Sequence, residues 1–571
     1  MADRNFKVRN GLTLQTAGTG APITTTLTAD FDGLMVNGSL LKPLPSTSGV
    51  SSGSVLTVGT AGLFWGDAST PSQASPTTAG AVFGYTVNGS TNSSIGQNAL
   101  LSNTTGSNNT ALGSSALRAN TTGANNTAVG TDSLRANTTG SRNTAVGRDS
   151  LRANTTGNNN TAVGYTALTT NTSGRNNTAL GRNSLRANTT GNNNTAVGMY
   201  SLRSNIYGYN NSAFGYNTLG NNSTGQSNQA FGMDTLRSNT SGAGNSAFGR
   251  DALFSNTTGS GNNAFGNGAL RGNTTANNNN AFGNQTMYYN TFGYNNNAFG
   301  NSALNRNTTG VRNNGFGDSA LRFNTTGANN SAFGNTTLLN NTTGNNHSAL
   351  GSGALSSNTT GNNNTAVGSR ALLLNTTGSN GSAFGQKSLY FNTTSNNNTA
   401  FGAYSLYNTT GANNTALGRS AGSTMATGSN SMMLGYNAQP STTSANNQIT
   451  LGNSSIATIR AQVTSITALS DARDKTNIES IPVGLDFINS LNPVKFEWNM
   501  RDGGKVGILD SGFIAQEALA SETEFGTRDW LKLVFDDNPD KLEVSPGRLT
   551  PVIIKAIQEL SAQIKDLQAK L

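Results

Sequence analysis

Glycine recurs at every seventeenth position from Gly96 to Gly402, nineteen times in unbroken register, and the residue four places after each is leucine except at Met287. The residue before each glycine is apolar (Ile95, Leu112, Val129, Phe214), the seventh after it is asparagine from Asn103 to Asn392, and the tenth is nearly always glycine again. Such a chain is a repeat array. Seventeen residues do not make a whole number of 3.6-residue turns, and Gly, Asn and Thr are poor helix formers, so the unit is not helical. Its two apolar positions are five apart and would face opposite sides of one continuous strand, so the chain has to turn between them to bury both. The paired glycines mark those turns. Each unit therefore reads as two short strands and two tight corners that gain a core only by stacking on their neighbours. The expected fold class is mainly β, an elongated repetitive β-solenoid or β-roll shaft of 17-residue units.

Stacking turns equivalent positions into columns at roughly 4.8 Å steps. Phenylalanine precedes the glycine in eight consecutive units from Phe214 to Phe333, which predicts an aromatic stack at a core position, and the asparagine column can chain amides from coil to coil. After one deletion the register continues through Gly418, Gly435 and Gly452, so about 21 steps would span on the order of 100 Å. Asn/Gly/Thr-rich sequence is also typical of disorder, but disorder does not require a leucine column.

Composition divides the chain. Proline is absent from Thr77 to Gln439 and glutamate until Glu479. Residues 470–571 hold 12 Lys+Arg and 17 Asp+Glu, net −5, whereas the other 469 residues hold 23 and 9, net +14. The expected domains are 1–93, a β-rich attachment region, then the shaft at 94–452, a linker at 453–469 and a C-terminal domain at 470–571. Much of the positive charge is arginine directly after the leucine column: Arg118, Arg135, Arg152, Arg186, Arg203, Arg237, Arg271 and Arg322. That stripe reads either as a surface for an acidic glycan or other anionic surface, or as a solvated face that discourages lateral strand association. No nucleic-acid motif accompanies it.

Asp132 with Asp149, and Asp234 with Asp251, share a repeat position in adjacent coils. Paired carboxylates of that kind can hydrolyse glycosides; the alternative is one surface column drifting among Asp, Asn, Thr and Ser. Asn-Thr-Thr in most units matches the N-glycosylation pattern and equally reads as turn and ladder chemistry. There is no cysteine, and the single histidine, His347, replaces a repeat asparagine. No metal, cofactor, secretory leader or membrane insertion is expected.

The ends depart from the period. Short β-segments are expected at Phe6–Leu14, Gly53–Gly59 and Gly62–Gly66, punctuated by Pro22, Pro43, Pro45, Pro71 and Pro76. The C-terminal region runs through Ser470-Asp471-Ala472-Arg473-Asp474-Lys475, Leu491-Asn492-Pro493-Val494-Lys495-Phe496-Glu497-Trp498 and Gly512-Phe513-Ile514-Ala515-Gln516-Glu517. It closes on Ile557, Leu560, Ile564, Leu567 and Leu571, a coiled-coil spacing. A small α+β domain ending in such a helix is expected.

Those ordered motifs resemble the C-terminal intramolecular chaperone of phage tail fibres and tailspikes, the auto-processing domain known from phage endosialidases, and the shaft is similar to head repeats of trimeric adhesins. The resemblance implies a homotrimer whose C-terminal domains hold three chains in register and then cut themselves away. By it, the bond is Leu469–Ser470, Ser470 is the nucleophile and Lys475 the general base. The trimer is implied by the resemblance and not by the heptads, since Ile at a with Leu at d ordinarily favours two strands. Near-identical units slipped by one coil lose only terminal contacts, which gives such a clamp its purpose.

The resulting expectation is a phage tail fibre or spike in the virion. Its partners would be two further copies, a tail or baseplate protein through the N-terminal region, and a host surface glycan or protein receptor, with no nucleic acid. A bacterial trimeric surface adhesin is the alternative, and a glycan depolymerase a third, weaker reading.

Overall fold

The computed structural model describes residues 91–456, 458–460, 462, 470–501 and 505–571, and by backbone alone six strands that precede them. The chain forms two units, Met1–Thr190 and Gly191–Leu571. In the first, β1 (Gly11–Thr16), β2 (Ile23–Asp30), β3 (Gly33–Val36) and β4 (Ser39–Leu40) make an antiparallel meander, and β5 (Val55–Gly59) pairs with β6 (Gly62–Gly66) as a hairpin. Strands β1, β5 and β6 overlap the expected segments, while residues 6–10 and 53–54 of those segments lie outside the described residues. Coil strands then run from β7 (Ser93–Ile95) to β12 (Thr178–Leu180), successive strands of this run pairing parallel and in register, as in Thr144↔Thr161 and Ala145↔Ala162.

The second unit repeats this from β13 (Thr195–Val197) to β28 (Ile449–Leu451), losing one residue where Thr399 pairs with Thr415. The fold class is therefore mainly β, a solenoid with a 17-residue step. Each coil contains one three-residue strand, not the two expected. The leucine segment cannot extend, because Leu117 and Ser115 adopt left-handed backbone at φ 49° and 59°, and the same positions do so coil after coil.

The core also differs from expectation: the middle residue of each strand, alanine in most coils, is the buried one, and its two neighbours face outward with the strand's period of two. The column before the glycine, including the phenylalanines, is therefore a surface column: Phe214 is 36% and Phe333 41% exposed. From Phe214 to Phe333 the rings stack at 4.6–4.9 Å with planes within 9°.

The interior is built from the alanine and leucine columns and two asparagine columns. A left-handed leucine costs roughly 1–2 kcal/mol, which complete burial of its side chain, worth about 1.5–3 kcal/mol, offsets. Its backbone is also satisfied: Leu117 N–H donates to Ser133 O at 3.0 Å, and Leu117 O accepts from Asn120 N–H at 3.1 Å. In the first asparagine column Asn137 Nδ2 donates to Asn120 Oδ1 and to Gly140 O, both at 2.8 Å. A second column, the one His347 interrupts, has Asn126 Oδ1 accepting the Asn143 N–H at 3.0 Å while Asn126 Nδ2 donates to Gly140 O at 2.9 Å. Buried amides in both columns are thus paired.

The two glycines of the unit have different causes. Gly232 sits at φ +134°, and a Cβ there would stand 2.7 Å from Gly249 O of the next coil. Gly140, in ordinary backbone, has no room for a Cβ between Asn137 and the Gly157 carbonyl. The second glycine marks close approach rather than a left-handed corner.

The C-terminal region comprises α1 (Leu485–Ser490), β29 (Pro493–Asn499), β30 (Val506–Phe513), α2 (Ala515–Glu524), β31 (Val534–Phe535), β32 (Glu543–Val544) and α3 (Thr550–Lys570). Phe487, Leu491, Ala518, Leu531, Leu533, Val534, Leu549 and Val552 form its core. Two carboxylates brace it. Buried Glu522 accepts the N–H groups of Leu533 at 2.6 Å and Val534 at 3.1 Å, and Glu559 on α3 accepts the Leu485 N–H at 2.8 Å, capping α1.

Candidate self-cleavage site

Residues 470–480 are exposed throughout and carry a single short turn, Ala472–Asp474. Asp471 starts it: its carboxylate accepts the Arg473 N–H at 2.9 Å and the Arg473 guanidinium at 2.6 Å. The guanidinium, with that backbone N–H, holds the Asp471 carboxyl below the usual carboxylate range. The turn closes with the Lys475 N–H donating to Ala472 O at 3.2 Å.

Closing the turn returns the lysine side chain to the residue before it. Lys475 Nζ lies 2.6 Å from Ser470 Oγ and 3.3 Å from Ser470 O. The two residues singled out from the sequence are therefore together, at a distance that lets a neutral amine take a hydroxyl proton. Leu469, the residue on the other side of the bond, lies outside the described residues. Asp471, next to the serine, has its carboxylate turned to Arg473. A lysine acts as general base only in its neutral form, which removal from water favours.

The other sequence candidates behave differently. Asp132 lies 3.6 Å from Arg135, Asp149 3.7 Å from Arg152 and Asp234 3.8 Å from Arg237, while Asp251 is 3.6 Å from Arg250. Each acid of the proposed glycosidase pairs is thus held by an arginine. His347 is enclosed in the second asparagine column. Among the described residues no three His, Cys, Asp or Glu side chains converge as a metal site, and no helix is long and apolar enough to cross a membrane.

The fold and this site define a repeat β-solenoid that ends in a small α+β domain opening on a serine–lysine pair. Residues 470–527 match the family described as chaperone of endosialidase, and the matched segment begins at Ser470 itself. The match implies serine-peptidase-like self-processing in this region. No curated protein and no solved structure matches the chain.

Proposed function

We propose that this chain is the subunit of a homotrimeric phage tail fibre or spike whose C-terminal domain aligns three chains and then cuts itself off between Leu469 and Ser470. The observation that carries the reading is the Ser470–Lys475 contact at the first residue of the chaperone segment. Lys475, neutral once desolvated, takes the Ser470 hydroxyl proton; Oγ attacks the Leu469 carbonyl carbon, and the Ser470 nitrogen leaves with a proton from the lysine. Water then hydrolyses the resulting ester, giving a Leu469 carboxylate and a free Ser470 amine.

Three surfaces support association of copies. The coil strands from Ser93 to Leu451 hold no charged residue, and the outward column before the glycine is apolar in every coil, although water-facing columns elsewhere drift through polar types. Within each unit, an apolar stripe on an uncharged sheet face fits a partner better than water. On α3, Ile557, Leu560, Ile564 and Leu567 leave an open heptad seam. The β29–β30 pair is only two strands and exposes Val506, Ile508 and Leu509, and two-stranded sheets are marginal alone.

In this reading residues 1–93 join a tail or baseplate protein, and the shaft meets a host surface glycan or protein receptor. Sedimentation of the full chain is expected to give three copies, and removing the first 70 or so residues is expected to leave a trimer that no longer enters virions. A single-chain solenoid in solution, or normal incorporation of the truncated chain, contradicts the reading.

A further inference from the structure

In the first unit, Arg118, Arg135, Arg152 and Arg186 line one groove on the turn segment after the leucine column, with Ala119, Ala136, Ala153 and Thr170 as its floor. The groove exists because the residue after each arginine is small, so the long side chains stand as walls over it. Parallel, in-register coils space those walls at roughly 4.8 Å. Thr169 occupies the column's one gap.

The arginines are not equivalent. Asp132 and Asp149 sit at 3.6 and 3.7 Å from Arg135 and Arg152. Arg118 and Arg186, both exposed, have no carboxylate partner among the described residues. Residues 91–190 carry eight arginines and two aspartates, net +6, so the surroundings reinforce the groove's potential. The same column in the second unit is spent differently: Arg237 and Arg271 flank the Phe254 ring at 5.4 and 4.9 Å, and Arg271 also covers Tyr288 at 5.6 Å. There the column's arginines lie against aromatic rings; in the first unit Arg118 and Arg186 stand open.

We propose that this groove binds an acidic polysaccharide laid along the coils, with Arg118 and Arg186 as its principal anion contacts. An extended polymer with a charge on successive sugar units suits a row of guanidinium groups repeating at a fixed step, and guanidinium forks engage carboxylates in pairs of hydrogen bonds. No aromatic residue lines the groove, so it lacks the stacking platforms on which single-stranded nucleic acid depends. The site is additional to the self-cleavage reading and stands or falls separately from it.

The test is fluorescence anisotropy of the full chain with a labelled oligogalacturonate at fixed ionic strength, and with single-stranded DNA of equal charge. Arg118→Thr with Arg186→Thr uses the residue the column already accepts at Thr169. Arg142→Asn with Arg175→Asn removes the same charge outside the groove, at positions where other coils carry asparagine (Asn125, Asn158). The groove pair is expected to weaken oligogalacturonate binding by about tenfold and the control pair by less than about twofold. Equal losses in both pairs, absence of oligogalacturonate binding, or tighter binding of DNA with the same dependence on Arg118 and Arg186 would overturn the proposal.

Discussion

His347 Nδ1 accepts the backbone N–H of Asn364 at 3.2 Å, the bond an asparagine oxygen makes at this place in neighbouring coils. A neutral imidazole has one acceptor nitrogen, so Nε2 bears the proton and directs it to the Gly361 carbonyl. Asn358 Nδ2, 3.1 Å from Nε2, already donates to Asn341 Oδ1 and Gly361 O. Burial pushes the His347 pKa down from 6.5 to about 4.

This coil should therefore lose stability in acid. A histidine with a lowered folded-state pKa contributes fully above its unfolded value of 6.5, and the contribution falls as pH drops toward about 4. The whole effect is on the order of 3 kcal/mol. Protection of the coils around residues 330–364, measured as exchange relative to the intrinsic rate at each pH, is expected to fall between pH 7 and pH 4 in the wild type, and His347→Asn is expected to flatten that dependence. Identical pH profiles in the two proteins would show that the imidazole is not the sensor.

Gly232→Ala combines a left-handed backbone with a Cβ 2.7 Å from the Gly249 carbonyl. Destabilisation by more than about 3 kcal/mol is expected, and because coils contact chiefly their neighbours the damage should be local. Exchange rates near residues 215–249 should rise while distant coils keep theirs; a uniform loss of protection along the shaft contradicts the nearest-neighbour picture.

The stacked phenylalanines test the proposed association surface. Phe265→Lys with Phe282→Lys places two charges on the uncharged sheet face, where like charges in adjacent coils also repel. Sedimentation should show the trimer shifted toward single chains, with the β-type circular dichroism preserved. A face that meets only water would accept both lysines, and an undiminished trimer would rule out this surface as the interface.

Glu522→Gln replaces a carboxylate that accepts two buried N–H groups with an amide that can accept through one atom only. Each charge-assisted bond is worth about 1.5–3 kcal/mol, so protection of the Leu533 and Val534 amides should fall by about 2 kcal/mol in exchange experiments. Unchanged protection would mean that other contacts hold that segment.

The period was legible because it is a covalent fact: a glycine every 17 residues and a leucine four places later leave few ways to stack. The inward or outward sense of each apolar position was not. Phe214 and Leu219 look alike as hydrophobic positions, and only the left-handed backbone at Leu219 and the two-residue period at Phe214 send one inside and the other out. Alanine carried the core signal at Ala213 but is too small to announce burial by hydrophobicity. The serine–lysine spacing was legible through resemblance. Glu522 and Glu559 were not, since their partners are backbone N–H groups 11 and 74 residues away, and sequence spacing does not encode such contacts.

Intact mass followed during assembly addresses the central claim most directly. Purified wild-type chains, once trimeric, are expected to separate without added protease into a shaft ending at Leu469 and a fragment beginning at Ser470. Ser470→Ala and Lys475→Ala are expected to assemble equally and keep full length. Full-length wild-type mass after complete trimer formation, or cleavage persisting in Ser470→Ala, would contradict self-processing by this pair.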